Sequence, residues 1–379
     1  MHRPLLAFCV AALSVLTAVA GLAPVARAQD ILIGHYGSLT GSEATFGQST
    51  SQGIQLAISE FNAAGGLNGR KIKLVEYDTK GDAAEAGRVV TRLVSRDKVS
   101  AVIGEVASSL SLAGAPVCQQ AGVPMISPSS TNPRVTKVGN MISRVCFIDP
   151  FQGLVCAKFA FETKKAKRVA ILLDQAQAYS VGLADEFEKA FKGLGGTITT
   201  RQSYNGGDQD FAARLTAIRD TNPDIIFVPG YYTDVANIAI QAKRLGIQAP
   251  LLGGDGWDSV KLTEIGGKAI EGSFYSNHYS ADDPSPTIQE FIRKYKDEYG
   301  AVPDGLAALG YDAANLLFDA MKRGKSLNGA DLAAAIADTK DFKGVTGTIS
   351  MDANRDAVKP AVILEIKDGK PVYVTTIKP

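Results

Sequence analysis

Several short stretches of this sequence gather hydroxyl, carboxyl and aromatic side chains around glycine. In Gly104-Glu105-Val106-Ala107-Ser108-Ser109 a serine stands at the start of a predicted helix. Free backbone N–H groups at a helix N-terminus make an anion site, so Ser108 can help hold a carboxylate there. The competing use is to cap its own helix, and the two are compatible. Ser127-Pro128-Ser129-Ser130-Thr131-Asn132-Pro133 offers a row of hydroxyls on a backbone stiffened by prolines. It reads as a second polar site or as an ordinary Ser/Pro turn. Asp255, in Gly253-Gly254-Asp255-Gly256-Trp257, can accept from an ammonium group. Its bland alternative is an Asx turn. Tyr179, Tyr231 and Tyr232 follow predicted strands and can cover an apolar ligand while offering a polar tip. Their alternative is packing at a lobe edge.

Known catalytic patterns are missing. Of the three histidines, His2 lies in the leader, which leaves His35 and His278, and no H-x-x-x-H or H-E-x-x-H spacing exists. A zinc hydrolase is therefore unsupported. There is no G-x-S-x-G elbow and no G-x-x-x-x-G-K-[ST] loop, which argues against an α/β-hydrolase and a P-loop nucleotidase. The glycines of Gly34–Gly41 lack dinucleotide-fingerprint spacing. No cofactor and no metal are expected.

The elements that must position these groups alternate. Strands are predicted at Ile31–Gly34, Ile72–Tyr77, Ala101–Ile103 and Pro124–Ile126. Between them run helical stripes such as Ile54, Ala57, Ile58 and Phe61, or Ala86, Val89, Val90 and Leu93. The rhythm restarts with strands at Val169–Leu173, Thr197–Thr200, Ile225–Val228 and Leu251-Leu252. Repeated β-α units imply parallel sheets with helices on both faces, and two runs imply two α/β lobes. The tail breaks the rhythm with helices and a hairpin turning at Asp368-Gly369. Open parallel sheets bind ligands beyond the carboxyl ends of their strands. The loops at those ends are Gly37–Gly47, Gly104–Ser111, Ser127–Pro133, Asp174–Tyr179, Gly230–Thr233 and Gly253–Ser259.

The chain has 379 residues. It opens with Arg3, an apolar run over Leu5–Val19 and a small-residue Ala26-Arg27-Ala28 site, the pattern of a secretory signal peptide cleaved near Ala28. The remainder suits two domains. A net charge of +1 gives no reason to expect nucleic acid as a partner. Beyond the leader stand Cys118, Cys146 and Cys156. An odd number leaves at least one free thiol; a Cys118–Cys146 disulfide and buried free thiols are both open.

Taken together, Gly37-Ser38-Leu39-Thr40-Gly41, Gly65-Gly66-Leu67-Asn68-Gly69-Arg70, Glu76-Tyr77-Asp78, Ser127–Pro133, Arg144-Val145-Cys146-Phe147 and Gly230-Tyr231-Tyr232 occur in an order that resembles the leucine/isoleucine/valine-binding family of periplasmic solute-binding proteins. The resemblance covers essentially the whole chain beyond the leader. It implies the type I periplasmic binding fold: two Rossmann-like lobes with parallel sheets, joined by three hinge crossings. Lobe 1 is expected at 29–148 plus 279–347, and lobe 2 at 149–278 plus 348–379, after a signal peptide at 1–28. It further implies a periplasmic, monomeric protein that binds a small amino-acid-like ligand and passes it to the permease of an ABC transporter. By the same resemblance, Ser108 and Thr131 hold the ligand carboxylate, while the carbonyl of Ser129 and the acid of Asp255 take its ammonium. Phe46, Tyr179 and Tyr231 wall the side-chain pocket. Asp255 stands where branched-chain binders commonly carry a longer Glu, and Glu105, if it points inward, would favour a ligand with a further donor. Two other readings use the same chain: a sensor or uptake receptor for an amide, urea or small organic acid, and a hydrolase with Ser108 as nucleophile, which lacks a histidine partner.

Overall fold

The computed structural model describes residues 29–379, so the predicted signal peptide lies outside the described residues. The first sheet is all parallel, in the order β2-β1-β3-β4-β5. Its strands are β1 (Ile31–Gly37), β2 (Ile72–Asp78), β3 (Ala101–Ile103), β4 (Met125–Ser127) and β5 (Ile142–Arg144). Helices α1 (Ala44–Ala63), α2 (Ala83–Ser95) and α3 (Ser108–Ala121) connect the first four. The helical stripe expected on α2 is the face that is buried, through Ala86, Val89, Val90 and Leu93. Asp82 caps that helix by accepting from Glu85 N–H at 2.7 Å.

After β5 the chain crosses to a second sheet, starting with α4 (Asp149–Lys158). Strands β6 (Arg168–Asp174), β7 (Thr197–Tyr204), β8 (Ile225–Phe227), β9 (Leu251–Gly253) and β10 (Phe274–Asn277) are again parallel where they pair. They alternate with α5 (Ala178–Gly193), α6 (Ala212–Arg219), α7 (Tyr232–Arg244) and α8 (Val260–Gly266). β7 runs four residues past the predicted end at Thr200. That extension carries Tyr204, wholly buried against Phe211, toward the rim where the lobes meet.

A second crossing follows β10 and leads to α9 (Pro286–Tyr299), α10 (Gly305–Arg323) and α11 (Gly329–Ala337). α10 packs along α1, with Phe318 against Phe61 at 4.5 Å between ring centroids. The third crossing is a small antiparallel ribbon, β11 (Phe342–Gly344), β12 (Gly347–Met351) and β13 (Ala357–Val358). The chain then closes the second sheet with β14 (Ala361–Lys367) and β15 (Lys370–Ile377), in the order β15-β14-β10-β9-β8-β6-β7. The expected hairpin turn has Asp368 at φ 52° and Gly369 at φ 73°, the two left-handed residues of a type I′ turn. Cys118, Cys146 and Cys156 are all buried free thiols, so the Cys118–Cys146 disulfide is not formed. Burial pushes each thiol up to about 12, which leaves them inert packing groups.

Candidate ligand-binding cleft

The two lobes face each other and touch. Thr233 Oγ1 of the second lobe donates to Ser42 O at 2.7 Å, and Thr45 Oγ1 meets Ser259 Oγ at 2.9 Å. Deeper in, Ala178 N–H donates to Ser109 Oγ at 2.9 Å, and Asn132 Nδ2 donates to Ala178 O at 2.8 Å. Between these contacts lies a narrow cavity lined by Phe46, Val106, Ser129, Tyr179, Tyr231, Asp255, Gly256 and Leu306. Each of the six loops expected at the strand ends contributes at least one of these residues. Leu306 comes from α10, which no loop rule points to.

Asp255 is the centre of the site. It begins the short turn after β9 and is 4% exposed. Gln152 Nε2 donates to its Oδ1 at 2.8 Å. His278 Nε2 lies 3.0 Å from Oδ2, and Ser129 Oγ donates to the same atom at 3.2 Å. Tyr179 OH accepts from Gly256 N–H at 3.2 Å, which leaves its own proton for Asp255. Burial alone would push this carboxyl up, but the bond from His278, followed by those from Gln152 and Tyr179, holds it below the usual range. Asp255 is therefore an ionised carboxylate with a fixed orientation. The Asx-turn alternative does not hold, because both oxygens are spent on side chains from distant elements. His278 is neutral, since burial pushes it down to about 4 against the pull of Asp255. A carboxylate only accepts, so the imidazole proton sits on Nε2. Its ring stacks on Phe147 at 3.8 Å between centroids, which fixes its plane.

The glycines beside Asp255 are there for close approach. A Cβ on Gly254 would lie 2.4 Å from Tyr179 OH and 2.7 Å from Gln152 Nε2. One on Gly256 would meet Gly230 O at 2.8 Å and Tyr231 Cδ1 at 2.9 Å. The aromatic wall is continuous: Tyr179 and Tyr231 stack at 5.5 Å with a 6° interplanar angle, and Phe46 meets Tyr231 edge-on at 5.3 Å. Tyr231 OH is buried and has no hydrogen-bond partner among the described residues.

The remaining expected residues lie behind this lining. Ser108 does not cap its helix: the N-cap is Ala107, and Ser108 is the first helical residue. Its Oγ accepts from Asn132 N–H at 3.3 Å, which ties α3 to the 127–133 loop. Thr131 is fully buried, and its Oγ1 has no well-formed bond among the described residues. Glu105 does not point inward. Its Oε1 accepts from Ser38 N–H at 2.7 Å and Ser38 Oγ at 2.9 Å, and its Oε2 from Ala107 N–H at 2.6 Å. It braces the loop after β1 from within the first lobe and is absent from the cavity lining.

Arg144 shapes the 127–133 loop. It is fully buried, with Nε 2.7 Å from Asp356 Oδ1. Its amino groups donate to Ser130 O, to Asn132 O at 2.9 Å and to Thr136 Oγ1 at 3.0 Å. From the sequence, Arg144 stands out only as part of a motif, His278 only as a histidine outside any metal or triad spacing, and Gln152 not at all. A glutamine inside a helix and a lone histidine carry no spacing signal; only the meeting of α4, β10 and the β9 turn makes them partners of Asp255.

A two-lobed α/β protein with an ionised carboxylate in an aromatic, interlobe cleft is built to clasp a small polar solute. The chain belongs to the periplasmic binding protein family, whose model matches residues 30–371, and within it to the leucine/isoleucine/valine-binding proteins. It is 32% identical over 367 residues to a Leu/Ile/Val-binding protein homolog 2 of Brucella abortus, covering 96% of each chain. The fold is similar to that of the leucine binding protein LivK of Thermotoga maritima, with TM-score 0.89 and 41% identity over 92% of this chain and 99% of that one. It is also similar to LivJ of Streptococcus pneumoniae, solved in complex with isoleucine, with TM-score 0.88 and 36% identity over 92% of this chain and 100% of that one.

Proposed function

We propose that this protein is the periplasmic receptor of an ABC transporter, capturing a branched-chain or closely related amino acid between its lobes and delivering it to the permease as a monomer. The observation that carries the reading is Asp255: an ionised, desolvated carboxylate at the wall of a mostly apolar cavity is a site for one ammonium group. Ser129 offers its carbonyl beside it. Ser108 and Thr131, on the first lobe just behind this lining, are the hydroxyls assigned to the ligand's carboxylate. Phe46, Val106, Tyr179, Tyr231 and Leu306 surround what remains, which suits an aliphatic side chain. A zwitterion then needs an anion site and a cation site at once, and an apolar pocket between them. The leucine- and isoleucine-binding names among its relatives agree with that chemistry.

Capture follows from the lobe contacts. A ligand that touches both lobes stabilises the closed form by its differential affinity for it. The few direct interlobe hydrogen bonds leave the rest of that stabilisation to the ligand. The predicted signal peptide supports export, and the permease would read the closed surface.

A thermal-shift screen of refolded, ligand-free protein tests this. A rise in midpoint with leucine, isoleucine or valine is expected, because binding to the native state alone stabilises it. A rise only with amides, urea or small organic acids would keep the cleft and overturn the zwitterion assignment.

A further inference from the structure

Hydrogen-bond accounting leaves a second acid open beside the cleft. Asp149 is the first residue of α4 and is wholly buried; neither carboxyl oxygen makes a well-formed hydrogen bond among the described residues, and the Thr131 hydroxyl is close enough to bond it. Its N–H donates to Thr131 O at 3.0 Å. Thr131 Oγ1, the hydroxyl assigned to the ligand carboxylate, is equally buried and has no well-formed bond to any other described residue. Asp149 Oδ2 abuts α5: a Cβ on Gly182 would lie 2.7 Å from it and 2.7 Å from Asn132 Nδ2. The pair thus sits at the seam where the 127–133 loop of the first lobe meets α4 and α5 of the second. Buried polar atoms are nearly always paired, so two neighbouring groups with no other partner among the described residues point to a bond between them.

The charges facing Asp149 are few. Asp255, from the turn after β9, and Glu186, from α5, repel an anion there. Arg144, from β5, attracts one, but its guanidinium is committed to Asp356 and to the carbonyls of Ser130 and Asn132. His278, on the far side of Asp255, is neutral. The α4 N-terminus favours a negative charge, although no N–H of its first turn makes a well-formed bond to the carboxyl. Burial, aided by Asp255, outweighs the Thr131 and Arg144 contributions and pushes Asp149 up to about 8, so it carries its proton at neutral pH.

We propose that Asp149 is a positioning residue of the ligand site: as a neutral acid it donates its proton to Thr131 Oγ1, which turns the Thr131 O–H toward the ligand's carboxylate. This rests on the reading that the carboxylate binds at Thr131. An ionised Asp149 would instead take the Thr131 proton for itself and repel the ligand. Affinity is therefore highest where Asp149 is neutral and falls as pH rises through its titration.

Calorimetric titration with leucine from about pH 6 to about pH 9 tests the proposal. Wild-type affinity should fall several-fold to about tenfold for the unit of pH above the Asp149 titration. Asp149→Asn keeps a donor for Thr131 and cannot ionise, so it should bind with a flat profile. Asp149→Ala should bind weakly at every pH. A flat wild-type profile, or a wild-type slope in Asp149→Asn, overturns the role of Asp149 alone. Failure of the wild type to bind any amino acid overturns the ligand reading and this role together. A carbon-13 carboxyl signal showing Asp149 ionised at neutral pH in the ligand-free protein overturns the proposal without reference to any ligand.

Discussion

Ser129, on the first lobe, donates its hydroxyl to Oδ2 of Asp255, on the second, at 3.2 Å. That bond spans the cleft at the point assigned to the ligand's ammonium. The closed arrangement therefore sets the Asp255 carboxylate beside Ser129 of the other lobe. An incoming ammonium would replace the weaker Ser129 hydroxyl contact with a charged one.

Replacing Asp255 with Ala should weaken amino-acid binding by about 2–5 kcal/mol, the range for deleting one partner of a buried charged pair. Calorimetry with leucine on wild type and Asp255→Ala measures it. Unchanged affinity would remove Asp255 from the site.

Gly254→Ala should abolish binding with the fold retained. The new Cβ would fall 2.4 Å from Tyr179 OH and 2.7 Å from Gln152 Nε2, and both groups hold Asp255. Circular dichroism should match wild type while leucine no longer shifts the melting midpoint. Wild-type binding in this variant would show that the Tyr179 and Gln152 contacts do not govern the site.

The neutral, buried His278 predicts an acid sensitivity. Folded, it titrates at about 4; unfolded, it returns to about 6.5. Between those values the unfolded chain binds more protons, so stability falls as pH drops through that window. Asp255 acts lower, because a depressed carboxyl loses its contribution only below about 3.8. His278→Gln, which can still donate to Asp255, should lose about 2 kcal/mol less than wild type between about pH 7 and about pH 4.5. Urea unfolding at the two pH values compares them; equal losses would place the acid sensitivity elsewhere.

Arg144→Leu should cost about 3–5 kcal/mol of stability, because it strands Asp356 and two loop carbonyls in a dry interior. Changing Arg144 and Asp356 together to apolar residues should cost less than the sum of the single changes. Denaturant unfolding of the cycle reads the coupling, and additive losses would mean that the pair is not a unit.

Much of this protein was written in its local pattern. The alternation of Val-, Ile- and Leu-rich strands with stripes such as Ala86, Val89, Val90 and Leu93 specified two parallel α/β lobes. The rule that open sheets bind ligands at their carboxyl ends located the loops that carry Phe46, Ser129, Tyr179, Tyr231 and Asp255. The pattern reached that far because strand period, helix period and glycine stops are short-range properties. What the side chains do there was decided only by the tertiary structure. Glu105 turns back to Ser38 and Ala107 because the loop after β1 and its own loop offer it N–H donors. Asp255 stays ionised because Gln152 and His278, more than twenty residues away on either side of the chain's order, arrive with donors that outweigh the cost of burial. Asp149 is pushed the other way because nothing comparable reaches it. The sequence by itself determined which loops stand at the cleft and several of the residues that line it. Their charge and direction depend on desolvation and on partners from other elements, and those exist only once the lobes are folded against each other.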